Sequence, residues 1–312
     1  MKAFGLTKFV LLCLGLLTIV PLVVNVDDSF FAYYLYVSFC YITLSQGWNI
    51  GSAYTGQVSM ASHLFFAIGA YTTGLLWVYD VTKSWYYFDP LVMILSGTVA
   101  AVAAMLLGIP LLYRLKGDFF AFGTLAAAEI IKTIIRRWAS FTGGARGFRL
   151  PGEGFASMLP HYLVALLTAF ISTLIALIIL KSRVGLILRA LSEDELSASV
   201  RGINTLLFKV IAFGIGAFLI GIGGSLFAYY IFVISPMTVM NLNWMFIPIL
   251  VCILGGKGTV EGPVVGSFVV GAIYTYIEIF VGPIHPMVSG ALLILIMKTM
   301  PEGLIGVITK KM

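Results

Sequence analysis

Ten apolar segments follow one another along this chain, and nothing else in the sequence limits the fold as strongly. They cover residues 9–20, 30–50, 60–79, 90–113, 119–138, 156–180, 206–234, 244–254, 263–282 and 286–300. A helix that crosses a bilayer needs about 20 apolar residues, because the hydrocarbon core is about 30 Å thick. In lipid the backbone must satisfy its own polar groups, so serial apolar segments of this length read as helices. Residues 244–254 and 286–300 are short for a span and read as tilted, broken or partly re-entrant. The chain is 60% hydrophobic and 10% charged, whereas a soluble domain carries about 25% charge. The expectation is an all-α polytopic membrane protein with about ten transmembrane helices, some of them broken. No stretch between segments is long enough for a second unit, so residues 1–312 read as one transmembrane domain.

The charges orient the chain. Residues 1–24 resemble a signal peptide, with Lys2 and Lys8 before the apolar run, but lack a small-residue cleavage site. They read as an uncleaved first helix with a cytoplasmic N-terminus. Ten spans then place thirteen Lys/Arg in inside loops and five in outside loops. That bias puts both termini in the cytoplasm of a multi-pass cell-membrane protein. The net charge of +6 reads as loop bias, and so apolar a chain argues against nucleic acid as a partner.

The longest polar island, residues 181–209, falls on the cytoplasmic side. It reads KSRVGLILRALSEDELSASVRGINTLLFK. A short helix fits it, with Leu186, Leu188 and Leu191 on one side, Ser192 as N-cap with Glu195 three residues on, and Gly202 at the end. Two readings are open: a solvated basic loop, or a helix shaped to dock in a groove of a cytoplasmic partner.

Two glycine-rich breaks interrupt the apolar pattern. Residues 47–62, GWNIGSAYTGQVSMAS, place Gly56, Gln57 and Ser59 where lipid would not tolerate them. Such backbone lines a cavity, is buried in protein, or forms an ordinary cytoplasmic turn. Residues 254–272, LGGKGTVEGPVVGSFVVGA, hold Gly256 and Gly258. This run lacks the G-x-x-x-x-G-K-[ST] phosphate loop, so nucleotide binding by this chain is discarded. Gly56, Val58, Phe66, Gly69-Ala70 and Thr73 align with Gly258, Val260, Phe268, Gly271-Ala272 and Thr275 at the same spacing, a sign of internal repetition. Ala217, Gly221 and Ser225 form a small-residue stripe suited to close helix packing.

Ionisable groups within a span face the protein interior or a watery cavity. Glu129, Lys132 and Arg136 share one helix face, with Glu129 and Lys132 placed to pair. They read either as a self-neutralising pair or as part of a transport pathway. His63, His161 and His285 lack acid or thiol neighbours in any motif. Cys13, Cys40 and Cys252 have no metal spacing. No catalytic or metal site is expected.

Several of these motifs together resemble the LivM-type permease subunits of branched-chain amino acid ABC transporters. In the island the likeness rests on Arg183, Gly185, Arg189-Ala190, Glu193-Asp194-Glu195, Ala198 and Gly202-Ile203-Asn204. It continues in residues 54–59 and 65–72, in Ala128-Glu129-Ile130, in Thr142-Gly143-Gly144 with Gly147, in residues 254–272, and in Pro301-Glu302-Gly303-Leu304. Met60-Ala61-Ser62 and Met300 depart from the family pattern. The resemblance implies a permease subunit that pairs with a homologous permease, two cytoplasmic ATPases and an extracytoplasmic binding protein. The island would be the loop that transmits ATPase motion, and ATP would be bound by the partners. Gly56, Gln57, Ser59, Glu129, Lys132, Thr142, Gly143, Gly144, Gly256 and Gly258 would flank or gate the pathway. Thr142, Gly143 and Gly144, with Arg146 and Arg149, would face the binding protein. A urea, amide or sugar permease of the same superfamily and an ion-coupled transporter using Glu129 and Lys132 are the alternatives.

Overall fold

A computed structural model describes residues 2–27, 29–79, 81, 89–150, 157–280, 282, 286–300 and 303–306. Every one of the ten apolar segments contains helix. Helix α1 (Lys2–Leu16) leads through a tight turn into α2 (Val20–Val23), and α3 (Phe30–Trp48) and α4 (Ser62–Val78) flank the first break. Helices α5 (Pro90–Arg114) and α6 (Asp118–Arg137) follow, with α7 (Ala139–Thr142) a single turn. After α8 (Met158–Lys181) the polar island forms α9 (Arg183–Glu193) and α10 (Glu195–Val200). Then come α11 (Thr205–Ile231), α12 (Pro236–Val239), α13 (Asn243–Gly255), α14 (Glu261–Phe280) and α15 (Pro286–Thr299). Two short strands, β1 (Phe148–Arg149) and β2 (Val233–Ile234), pair antiparallel, Phe148 opposite Ile234.

Among the described residues, five helices are long and apolar enough to cross a membrane. The eighth segment belongs to one of them and is broken, as its short length suggested. Helices α12 and α13 together run from Pro236 to Gly255, 20 residues. Asn241 lies in the non-helical stretch between α12 and α13, and Asn243 opens α13.

Helix α11 is the axis of the bundle and packs against α3, α4 and α5. Its small residues allow this. A Cβ on Gly69 of α4 would run into the Gly221 backbone, so the two helices meet at van der Waals distance between backbones. Beside that contact the Thr73 hydroxyl donates to Ser225 Oγ at 2.7 Å and lies 2.8 Å from Ser96 Oγ, tying α4, α5 and α11 together. At about 1.5 Å per residue α11 spans the thickness of a bilayer. The polar island lies at its start and the β1–β2 ladder at its end, which gives the molecule two distinct ends.

Candidate functional site

The first break starts when α3 loosens into a π-helical turn, Asn49–Ala53. The chain then turns through Tyr54–Gly56 and runs non-helical to Ala61. Gly56 sits at φ +72°, a conformation that suits glycine. Polar side chains hold the break together: Trp48 Nε1 donates to the Ser59 carbonyl at 2.9 Å, and the Ser59 N–H to Ser52 Oγ at 3.2 Å. Ser59 and Ser62 border a cavity of about 10 Å³, room for one water. Gln57 is buried, and its Oε1 has no protein partner.

The second break is bonded directly to the first. The Asn49 amide donates to the Thr259 carbonyl at 2.7 Å, and its oxygen accepts from the Gly258 N–H at 2.9 Å. Gln46 Nε2 donates to the Val260 carbonyl at 2.8 Å. Gly256 and Gly258 both have positive φ, +125° and +79°. One more anchor comes from the N-terminal helix, where the Thr7 hydroxyl donates to the buried Glu261 carboxylate. The two runs that look alike in sequence thus meet across the bundle.

The island differs from its sequence reading in three ways. It is two helices, not one, and the cap between them is Asp194 rather than Ser192. Asp194 Oδ1 accepts from the Leu196 and Ser197 N–H groups, while Ser192 Oγ donates back to the Arg189 carbonyl. Asp194 adopts extended backbone, φ −154°, and so breaks the helix where its own carboxylate can restart it. Hydrogen bonds from the Ser197 hydroxyl and N–H hold its carboxyl below the usual carboxylate range. Second, Leu188 and Leu191 are buried but Leu186 is 65% exposed. Third, Ala198 points inward, in a cluster with Ile50, Tyr54, Leu188 and Leu191. It is part of the chain's own packing and not an open docking face. Gly202 closes α10 as expected, at φ +83°. Glu193 is exposed, as are Arg183 and Arg189, while Gly185 is buried where the chain leaves α8.

These placements join the island to the first break. The Gly56 backbone lies against Ser192, where an added Cβ would come 2.9 Å from Ser192 Cα. Glu195 reaches back to α11, with Oε1 2.7 Å from the buried Lys209 Nζ. On the island itself Leu186, Leu196 and Val200 leave apolar surface open, the last two 71% and 87% exposed.

On α6, Lys132 Nζ lies 3.3 Å from Glu129 Oε1, as the spacing predicts. The structure adds His63, whose Nε2 is 3.7 Å from the same oxygen. His63 is fully buried and neither ring nitrogen has a hydrogen-bond partner. Arg136 and Arg137 are exposed in the last turn. Thr142, Gly143 and Gly144 lie beyond α6, towards the ladder. The Thr142 hydroxyl donates to the Ile135 and Trp138 carbonyls and accepts from the Gly144 N–H, closing the end of α6. Gly143 and Gly144 have φ +72° and +61°. These three residues do not join the two breaks; they build the far end.

Residues 30–297 match the family described as branched-chain amino acid transport system / permease component. The chain belongs to this family. The permease is 28% identical over 294 residues to the high-affinity branched-chain amino acid transport system permease protein LivM of Escherichia coli, which covers 85% of this chain and 67% of the relative. It is 27% identical over 269 residues to the probable branched-chain amino acid transport permease protein LivM of Methanocaldococcus jannaschii, 78% of each chain. The high-affinity permease protein LivH of Salmonella typhimurium is 25% identical over 288 residues, 85% of this chain and 91% of the relative. These relatives are transport permeases and not enzymes. No solved structure matches the permease.

Sequence reasoning missed His63, Lys209 and the role of Asn49. Asn49 was visible as a polar residue in a break. The other two acquire their partners only through folding.

Proposed function

We propose that this permease is one of two membrane subunits of an ATP-driven importer for branched-chain amino acids in the cell membrane. Its residues 1–312 form one domain with ten spans and both termini in the cytoplasm. A homologous permease supplies the other half of the pathway. Two cytoplasmic ATPases bind and hydrolyse ATP, this chain holding no cofactor, and an extracytoplasmic binding protein delivers substrate to the end that carries Thr142–Gly144, Arg146 and Arg149.

The observation that carries this reading is the contact of the charged loop with the first break, Gly56 against Ser192. A displacement of α9 and α10 by a docked partner must move the turn at Tyr54–Gly56. Asn49 hands that movement to Gly258 and Thr259. Helices α3, α4, α13 and α14 all end at these breaks, so the loop acts on four helices at once. Glu129 and Lys132 on α6 face His63 in the first turn of α4 and form the polar part of the gate.

Co-purification tests the assembly. A tagged permease expressed with the genes beside it brings down two ATPase chains and a second permease in stable stoichiometry. Recovery of the permease alone, with leucine uptake driven by an ion gradient, supports the secondary-transporter reading instead.

A further inference from the structure

At the ladder end, away from both breaks, α3, α11, α13 and α14 enclose a cavity of about 200 Å³. Five tyrosines line it: Tyr33, Tyr36, Tyr41, Tyr230 and Tyr274. Trp244 and Phe227 add two more rings, and Val37 and Ile247 supply aliphatic wall. Asn241 and Asn243 line it at the start of α13. No acidic residue, basic residue or histidine among the described residues takes part.

The size selects small ligands. A cavity of about 150 Å³ takes up benzene, with six heavy atoms, so this one suits a molecule of slightly more atoms. The lining then selects charge. An ion of net charge has no counter-ion here and is costly to bury. A net-neutral zwitterion does better. Its ammonium finds the electron-rich rings of the tyrosines. Its carboxylate meets amide donors at the N-terminus of α13, where the helix dipole favours negative charge. Asn241 Oδ1 accepts the Asn243 N–H at 3.0 Å, which leaves the Asn241 NH₂ as the donor to the carboxylate. Asn243 is held in place by a relay: the Tyr274 hydroxyl donates to Ser289 Oγ at 2.6 Å, and Ser289 Oγ to Asn243 Oδ1 at 3.1 Å. The aliphatic wall takes a branched side chain. We infer that this aromatic cavity binds one neutral aliphatic amino acid inside the permease. The cavity is then a selective station for the substrate, and this rests on the reading of the chain as an amino-acid permease.

Photo-leucine, the diazirine analogue of leucine, tests it in the assembled transporter in proteoliposomes. Irradiation followed by peptide mapping places the label on residues 33–41 or 227–247. Excess leucine or valine suppresses that label, and lysine or glutamate does not. The cavity-filling variant Val37→Phe loses the label and raises the KM for leucine uptake about tenfold. ATPase co-purification reports folding of the variant, and the wild-type label decides the matter where Val37→Phe fails to assemble. Leucine uptake by the wild type without competed label in the cavity overturns this inference and leaves the proposed function standing. Label displaced only by lipid marks a lipid site and also overturns it. Failure of the wild type to move any branched-chain amino acid overturns the proposed function itself.

Discussion

Lys209 Nζ lies 2.7 Å from Glu195 Oε1, and the lysine is buried at 2% exposure while the glutamate keeps 30%. The pair ties α10 to the first turns of α11. Glu195 therefore belongs to the fold as well as to the charged surface, unlike Glu193 beside it.

Removing the acid leaves a buried ammonium without that partner. Glu195→Ala is expected to destabilise the permease by about 1–3 kcal/mol. Lys209→Met, which removes the buried charge and keeps much of the volume, is expected to cost less. Thermal unfolding of the two variants in the same detergent checks the order. An unchanged melting temperature for Glu195→Ala shows that the pair adds nothing to the fold.

Leu196 and Val200 stand one helical turn apart on the open face of α10, 71% and 87% exposed. The double change Leu196→Asp with Val200→Asp leaves the permease inserted and its stability within about 1 kcal/mol of wild type, as for other surface substitutions. Binding of the ATPases is expected to fall at least about tenfold, the scale of losing buried apolar anchors. Pull-down with the tagged permease reads both.

Gly56 combines positive φ with a backbone contact to Ser192. Gly56→Val forces a β-branched residue into a left-handed conformation, at about 1–2 kcal/mol, and drives a side chain into α9. Uptake is expected to fall while ATP hydrolysis continues, because the break no longer follows the loop. ATP consumed per leucine transported measures this. A wild-type ratio rules out the contact as the coupling route.

Glu129 has its carboxylate 44% exposed and shares it between Lys132 and His63. Glu129→Gln keeps the shape and removes the charge. Leucine uptake is expected to drop about tenfold with the complex intact, in the range of losing one electrostatic contact in a gate. Wild-type uptake and an unchanged melting temperature show that neither gating nor pairing depends on it.

Much of the architecture was legible because single residues announced it. Apolar length alone marked the helices, and the turns at Gly56, Gly202 and Gly258 were visible because positive φ calls for glycine. The Glu129–Lys132 pair followed from helical spacing. Other features depend on contacts between distant residues. His63 and Glu129 are 66 positions apart, and no periodicity links them. Glu195 and Lys209 lie on different helices, so the acid looked like part of a solvated knot. Ser192 and Asp194 can both cap a helix; the extended backbone at Asp194 decides between them. Ala198 looked like a docking residue because only the fold shows which side of α10 the core occupies.

ATP-dependent uptake of radiolabelled leucine by the reconstituted complex tests the central claim most directly. The permease, its homologous partner and the ATPases are placed in liposomes, with the binding protein on the outside and ATP within. Uptake is expected to require both ATP and the binding protein, and to be unaffected when proton and sodium gradients are collapsed. Leucine uptake that persists without ATP and stops when those gradients are collapsed contradicts the account.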